Sequence, residues 1–429
     1  QMGGHFATHS LNEDGSWKNL MQQKNSSADI SPTAGQMPRL LGLAQASKIY
    51  RNVDGIASEK FSENGNEIAW GTIGNASTSE GHFWETINAA GVLQVPLVMN
   101  VWDDEYGISV HAKYQTTKEN ISEILKGFQR DENNKGYEII IVNGWDYVAL
   151  VEAYEKASRI ARKYHSPVLI HVKELTQPQG HSTSGSHERY KDGERLAWER
   201  EYDCNVKFRE WMIENNFATA EELNEIDADI KKQVREGKKA AWAAYTDPMK
   251  MKMKELLPLL DQAAKSSDNK EAILSLKKEI TEIKEPLKKD LLVAARKSLR
   301  YLTGTKSDAR TRIINWIDRY TMDSQPEYSS NLYSESAENA LYIDEVKPVY
   351  SEDSKEVDAR IILRDNFDKI FETRPETLIF GEDAGEIGDV NQGLEGLQDK
   401  YGKLRVADVG IREATILGQG IGMAMRGLR

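Results

Sequence analysis

The strongest constraint on this chain is an alternation in its first 245 residues. Short apolar runs recur with helix-length intervals between them. Glu67-Ile-Ala-Trp70 is one such run, ending at Gly71. Leu97-Val-Met-Asn-Val-Trp102 follows Pro96, Tyr137-Glu-Ile-Ile-Ile-Val142 precedes Asn143-Gly144, and Ser166-Pro167 opens Val168-Leu-Ile-His-Val172. Between the first two runs, Phe83, Trp84, Ile87 and Ala90 recur at helical spacing, and a helix is expected from Asp146 to Tyr164. Strands separated by crossovers longer than about a dozen residues cannot form hairpins, so they pair in parallel. Their near-continuous apolar character fits a sheet covered on both faces. The fold class is therefore α/β, a parallel sheet flanked by helices.

Residues 246–352 depart from this pattern. From 250 to 323 the chain is helical and rich in lysine, with Ile273, Leu276, Ile280, Ile283 and Leu287 alternating by three and four. Pro286 should break or kink that seam. A helical hairpin packed on a neighbouring domain and a dimerising coiled coil both satisfy it. Residues 324–352 are polar and read as a linker. A further α/β unit opens near Val357, with a helix to Phe371 and the strand Thr377-Leu-Ile-Phe380. The expected division is 1–245, 246–352 and 353–429. The first residue is Gln1, and Gly422 to Arg429 reads as the middle and exit of a helix, so a piece of a longer polypeptide is expected.

Composition excludes some function classes. With 56 basic and 68 acidic side chains the formal charge is −12. Nucleic acid and anionic membranes need a basic field, so neither is an expected partner. No run approaches the roughly 18 apolar residues of a membrane span. A single cysteine, Cys204, excludes an intrachain disulfide and a cysteine-clustered zinc site, which fits a reducing, cytoplasmic setting.

Two constellations carry chemistry. In the first, the strand ending at Gly71 leads into Thr72-Ile-Gly-Asn-Ala-Ser-Thr-Ser-Glu-Gly81. Gly71 and Gly74 permit a tight turn, and Ser77 with Glu80 reads as a capping box. A helix start at the carboxyl end of a parallel strand attracts anions. One crossover later, strand 97–102 ends in Asp103-Asp104-Glu105-Tyr106-Gly107. Asn75 and Asp104 thus fall at the ends of strands that can lie side by side. Two oxygen donors beside an anion-binding turn suit Mg²⁺ on a diphosphate; caps and turns are the commoner use of the same residue types at strand ends.

The stretch from Gly74 to Ser109 resembles the diphosphate-binding segment of the α subunit of thiamine-diphosphate-dependent 2-oxo acid dehydrogenases, the E1 components. Ser79-Glu-Gly81, Asn88-Ala-Ala90, Pro96 and Tyr106-Gly-Ile-Ser109 fall in register. The resemblance implies that Gly74, Asn75, Ala76, Asp104, Tyr106 and Ile108 bind the cofactor, with Asn75, Asp104 and the Tyr106 carbonyl as Mg²⁺ ligands. The family has acid first and amide second; here Asn75 and Asp104 exchange those types without changing the formal charge. Trp102 stands where relatives carry an arginine near the diphosphate. Ile30-Ser-Pro-Thr-Ala-Gly-Gln-Met-Pro38 resembles a family turn that meets the aminopyrimidine and takes a monovalent cation such as K⁺. This implies Thr33 against the cofactor, and Ser31 and Gln36 at the cation. Gly180-His-Ser-Thr-Ser184 resembles the loop whose histidine lies over the cofactor and assists acyl transfer, which implies a catalytic His181.

The second constellation comprises Phe380-Gly-Glu-Asp-Ala-Gly385, Gly393-Leu-Glu-Gly-Leu-Gln398, Lys400-Tyr-Gly402, Val409-Gly-Ile-Arg-Glu413 and Gly418-Gln-Gly-Ile-Gly422. It resembles the start of the E1 β subunit and implies that Glu413 hydrogen-bonds the aminopyrimidine N1′. A carboxyl entering an apolar helix is expected to be partly desolvated. The glycines also invite a dinucleotide reading, but no strand immediately precedes them, so close helix packing is the expectation. Together the resemblances imply fused α and β segments of an E1 enzyme. It would decarboxylate pyruvate or a branched-chain 2-oxo acid with thiamine diphosphate and Mg²⁺. The acyl group would pass to a lipoyl-bearing E2, and the enzyme would act as a homodimer or higher oligomer. Two other readings stay open: a transketolase-like enzyme, and a scaffold that binds no cofactor, which Asn75 and Trp102 motivate.

Overall fold

A computed structural model describes residues 6–28, 30, 32–181, 186–329 and 339–429. It parts into two compact units, 1–217 with 346–429 and 218–345. The sequence reading drew its boundaries at 245/246 and 352/353; the helix that runs unbroken through residue 245 is the reason for the first difference.

The first unit begins with a short antiparallel pair, β1 (Phe6–Ala7) and β2 (Ser27–Ala28). Then come α1 (Met37–Asn52), β3 (Ala69–Gly74), α2 (Gly81–Leu93), β4 (Leu97–Trp102) and the two-residue strands β5 (Tyr106–Gly107) and β6 (Val110–His111). The short helix α3 (Ile121–Ile124) precedes β7 (Glu138–Asn143), α4 (Tyr147–Tyr164), β8 (Val168–Lys173), α5 (Gly193–Glu201) and α6 (Cys204–Glu214). The main sheet is wholly parallel, in the order β3-β4-β8-β7. Its two apolar layers are built on Leu41, Phe83, Ile87 and Met99, and on Val98, Ala157, Val168 and Ile170.

Two local expectations are corrected. The strand does not end at Gly71 but runs to Gly74. Gly71 is small for another reason: a Cβ there would stand 2.2 Å from Leu40 of α1, so the residue admits the helix to the sheet. Ser77 and Glu80 form no capping box. A 3₁₀ turn over Ala76–Ser79 precedes α2, and Glu80, its N-cap, makes no capping bond.

The second unit is α7 (Ala220–Lys265), α8 (Lys270–Glu282), α9 (Lys288–Tyr301) and α10 (Asp308–Ser329). Thr219 and Glu222 close a full capping box at the start of α7, which continues through Pro248 and Pro258. The four helices share a core of Leu256, Leu260, Ile273, Ile280, Leu291, Ile313 and Trp316. Ile273, Leu276 and Ile280 are buried, whereas Ile283 and Leu287 lie in the break between α8 and α9 and are exposed. The seam is therefore the inner face of one bundle helix rather than a coiled coil. Pro286 falls in that break, and α10 takes up part of the polar stretch expected as a linker.

The chain rejoins the first unit with α11 (Ala359–Thr373), β9 (Ile379–Gly381), α12 (Leu397–Tyr401), β10 (Val406–Asp408) and α13 (Glu413–Ala424). Strands β9 and β10 pair in parallel. Helix α13 lies directly on α1. A Cβ on Gly42 would meet the Gln419 carbonyl oxygen at 2.0 Å, and one on Gly422 the Arg39 carbonyl oxygen at 2.2 Å. The glycines of 418–422 thus serve close packing, as expected. Past the helix end, Arg426 donates to Glu67 at 2.6 Å and to Ser47 and the Phe61 carbonyl.

Candidate functional site

Parallel pairing sets Gly74 opposite Trp102, so β3 and β4 end together. The Asn75 N–H donates to the Trp102 carbonyl at 3.0 Å, which holds the turn after β3 against the end of β4. The Asn75 carbonyl accepts from the Thr78 hydroxyl at 2.6 Å, and Asn75 is buried. Its side chain makes no capping hydrogen bond. Gly107 is small where β5 approaches this turn: a Cβ would stand 2.6 Å from Ala76 Cβ.

Asp104 is buried at the neighbouring strand end. Its Oδ1 accepts from the Tyr106 N–H at 3.1 Å and its Oδ2 from Gln177 Nε2 at 2.7 Å. Burial pushes its carboxyl above the ordinary value. The charge of Asp103 adds to this, while the Tyr106 N–H and Lys191 oppose it. The turn is strained at two points, with φ +68° at Glu105 and +59° at Ile108, rare for residues with side chains and costliest for a β-branched one. Helix α5 grips the same turn from outside. Arg195 donates to the Asp104 carbonyl at 3.2 Å and pairs with Glu105 and Glu199; Lys191 pairs with Glu199 at 2.6 Å and sits 4.9 Å from the Tyr106 ring centre.

The structure thus brings together Gly74, Asn75, Ala76, Asp104, Tyr106 and Ile108. The loop carrying His181 reaches the same place, because Gln177 bonds Asp104 and Tyr190 packs on Tyr106 with ring centres 5.6 Å apart. His181 itself is exposed. Trp102 is half exposed at the rim. Thr33 is exposed, and Gln36 donates its amide to the Ile30 carbonyl. Ser31 lies outside the described residues, as do 182–185.

Glu413 is corrected in one respect. It opens α13 as expected but is exposed, not desolvated, because the helix buries its opposite face (Thr415, Gln419). No described contact joins it to Asn75, Asp104 or Tyr106.

Asp103, Gln177 and His171 carry no role in the sequence reading, nor do Lys191, Arg195 and Glu199. Asp103 Oδ2 lies 2.8 Å from Nε2 of His171. The available signal was a single polar residue, His171, in the apolar run Val168-Leu-Ile-His-Val172.

Asn75, Asp104 and the Tyr106 carbonyl form a set of hard oxygen donors at adjacent strand ends. An amide oxygen beside a desolvated carboxyl and a main-chain carbonyl is a donor chemistry that fits a small divalent cation. The set contains one acidic side chain, and among the described residues no three His, Cys, Asp or Glu side chains cluster as a metal site. No helix among the described residues is long and apolar enough to cross a membrane.

Residues 3–250 match the family described as dehydrogenase E1 component, and residues 355–429 match the transketolase pyrimidine-binding domain. Among curated relatives, the testis-specific pyruvate dehydrogenase E1 α subunit of Rattus norvegicus is 28% identical over 231 residues, 53% of this chain and 52% of the relative. The 2-oxoisovalerate dehydrogenase α subunit of Bacillus subtilis is 26% identical over 249 residues, 57% of this chain and 65% of the relative. The chain spans about half the length of the curated relatives it matches. Among solved structures, transketolase from Campylobacter jejuni aligns with a TM-score of 0.40 and 15% identity, covering 93% of this chain and 46% of that one.

Proposed function

Because the chain belongs to the dehydrogenase E1 component family, we propose that it is the E1 component of a 2-oxo acid dehydrogenase complex. Its substrate would be pyruvate or a branched-chain 2-oxo acid, and its acceptor a lipoyl group on an E2 acyltransferase. The observation that carries the reading is the oxygen-donor set of Asn75, Asp104 and Tyr106 at the paired ends of β3 and β4, inside the matched residues. These residues would hold Mg²⁺, and the cation would hold the diphosphate of thiamine diphosphate. When bound, the cofactor supplies a carbon nucleophile for the oxo group and a sink for the electrons left by loss of carbon dioxide.

The protein's own groups bind, orient and move protons. Gly74, with open space beyond its Cα, leaves room for the diphosphate. Ile108, half exposed beside the turn, offers an apolar contact to the cofactor rings. Glu413, at the N-terminus of α13, is free to hold a proton at N1′ of the aminopyrimidine. His181 is exposed on the loop that Gln177 ties to Asp104, where it can assist acyl transfer. Thr33 would meet the cofactor, and Ser31 with Gln36 a monovalent cation such as K⁺.

The matched pieces in one chain favour a fusion of α- and β-type segments. The exposure of Glu413 favours a dimer or higher oligomer, with the Glu413 end of one copy meeting the Asp104 end of another. A reducing compartment such as the cytoplasm suits the single, half-buried Cys204. The test is turnover of the complete protein with pyruvate and with branched-chain 2-oxo acids, using an artificial electron acceptor. Acceptor reduction that requires both the oxo acid and thiamine diphosphate is expected. Ketol transfer between sugars without oxo acid oxidation would contradict it in favour of a transketolase-like enzyme. Failure to bind the cofactor at all would make the chain a scaffold.

A further inference from the structure

Strand β8 is apolar on both sides of His171. The ring has no exposure, and it shares its face of β8 with Leu169, in the apolar layer that includes Val101, Ile121 and Leu125. A buried imidazole in such a place must satisfy both nitrogens or forfeit their hydration. His171 does so. Nε2 lies 2.8 Å from Asp103 Oδ2, and Nδ1 lies 2.9 Å from the Ser122 hydroxyl on α3. A carboxylate brings no proton, so Nε2 donates to it. The other Asp103 oxygen, Oδ1, accepts from the Glu105 N–H at 2.8 Å. One connected path therefore runs from α3 through β8 into the turn that carries Asp104.

Serine, histidine and aspartate in a row suggest a nucleophile, but the geometry forbids it. Ser122, His171 and Asp103 are 1%, 0% and 6% exposed, so no substrate reaches them. Asp103 is tied inside the fold on both oxygens, to His171 and to the Glu105 N–H. Nor is the imidazole needed to fix the main chain at Asp103. The Asp103 N–H already donates to the Val172 carbonyl at 2.9 Å, and its carbonyl accepts from the Leu175 N–H at 3.0 Å. The imidazole adds control of the Asp103 carboxylate. That carboxylate holds the N–H of Glu105, the residue forced into the left-handed region at φ +68°. The two residues flanking Glu105 are Asp104 and Tyr106.

We infer that His171 is a positioning residue: through Asp103 it sets the turn that aims the Asp104 carboxylate and the Tyr106 carbonyl at a divalent cation. This rests on the reading of Asn75, Asp104 and Tyr106 as the Mg²⁺ site. Groups that orient ligands from behind are worth about 10- to 100-fold in metal affinity, and low local dielectric strengthens their hydrogen bonds.

The test is calorimetric titration of the complete protein with Mg²⁺ in the presence of thiamine diphosphate. His171→Leu keeps an apolar volume but removes the donor, and should raise the Mg²⁺ Kd by about tenfold or more. Saturating Mg²⁺ should restore full cofactor binding to that variant, a recovery that damage to packing would not show. His171→Gln retains a nitrogen donor and should stay within about threefold of wild type. Ser122→Ala removes only the hydroxyl on the far side of the ring. It should weaken Mg²⁺ by about threefold, and it keeps the question answerable if the leucine variant does not fold. Wild-type affinity in both His171→Leu and Ser122→Ala would overturn the inference, as would a glutamine variant no better than leucine. A wild-type protein that binds neither Mg²⁺ nor cofactor would overturn the site reading, and this inference with it.

Discussion

The two compact units solve burial in opposite ways. In the helical unit the interior is apolar: Leu256, Leu260, Ile273, Ile280, Leu291, Ile313 and Trp316 meet, and Thr246 and Ser298 are the polar residues buried among its described positions. In the α/β unit the strand ends bury Asn75, Asp103 and Asp104, with His165, His171, Lys191 and Glu199 buried elsewhere in it. Apolar burial is rewarded by volume and tolerates exchange. Polar burial costs desolvation unless every group finds a partner, so its retention marks a place where geometry matters. All eight histidines also lie before residue 188, and none lies in the helical unit.

The two units should respond differently to substitution. Ile273→Ala should cost the helical unit about 2–5 kcal/mol by denaturant unfolding. Cofactor affinity in the α/β unit should stay within about twofold, since the units have separate cores and changes that share no partners usually do not interact; a parallel loss of affinity would show that the units are coupled. Gly422→Ala places a Cβ 2.2 Å from the Arg39 carbonyl oxygen. It should destabilise the α/β unit by about 1–3 kcal/mol, with the melting of the helical unit unmoved.

Acid should separate the units next. Burial lowers the His165 pKa from 6.5 to about 4, opposed by its 2.9 Å contact with the Gly65 carbonyl. Between those values the unfolded chain takes up a proton that the folded one refuses. The α/β unit should therefore lose up to about 1.4 kcal/mol per pH unit as pH falls from 6.5 toward 4. Unfolding curves across that range check it, and His165→Asn should flatten the slope. The helical unit, without histidine, should not share it. At the small end, Thr219→Ala removes a formed capping box and should cost the helical unit about 1 kcal/mol. Ser77→Ala should change stability by less than about 0.5 kcal/mol, because no box forms there.

The parallel sheet and its crossovers were legible because strand period, Pro96 and Pro167, and crossover length are local signals. Those signals misled where a neighbour decides the outcome. Gly71 looked like a turn glycine, but Leu40 of a distant helix requires its lack of a side chain. Ser77 and Glu80 had capping spacing, but the 3₁₀ turn tied to the end of β4 took up those residues. Ile283 and Leu287 continued a seam on paper, and the interruption between α8 and α9 around Pro286 exposed them. At the site, Asn75, Asp104 and Tyr106 were legible as strand-end residues carried by the family resemblance. His171 and Gln177 were not, since their partners lie 68 and 73 residues away in sequence. The burial expected of Glu413 failed because a helix entering an apolar core still has an outer face.

The strand ends of the α/β unit are proposed to hold thiamine diphosphate through a cation on Asp104. Calorimetry of the complete protein with the cofactor, with and without Mg²⁺, tests it most directly when repeated on Asp104→Ala. The account predicts binding that requires Mg²⁺ in the wild type and is lost in the variant, with both units still folded. Cofactor binding that ignores Mg²⁺, or that Asp104→Ala leaves unchanged, would contradict it.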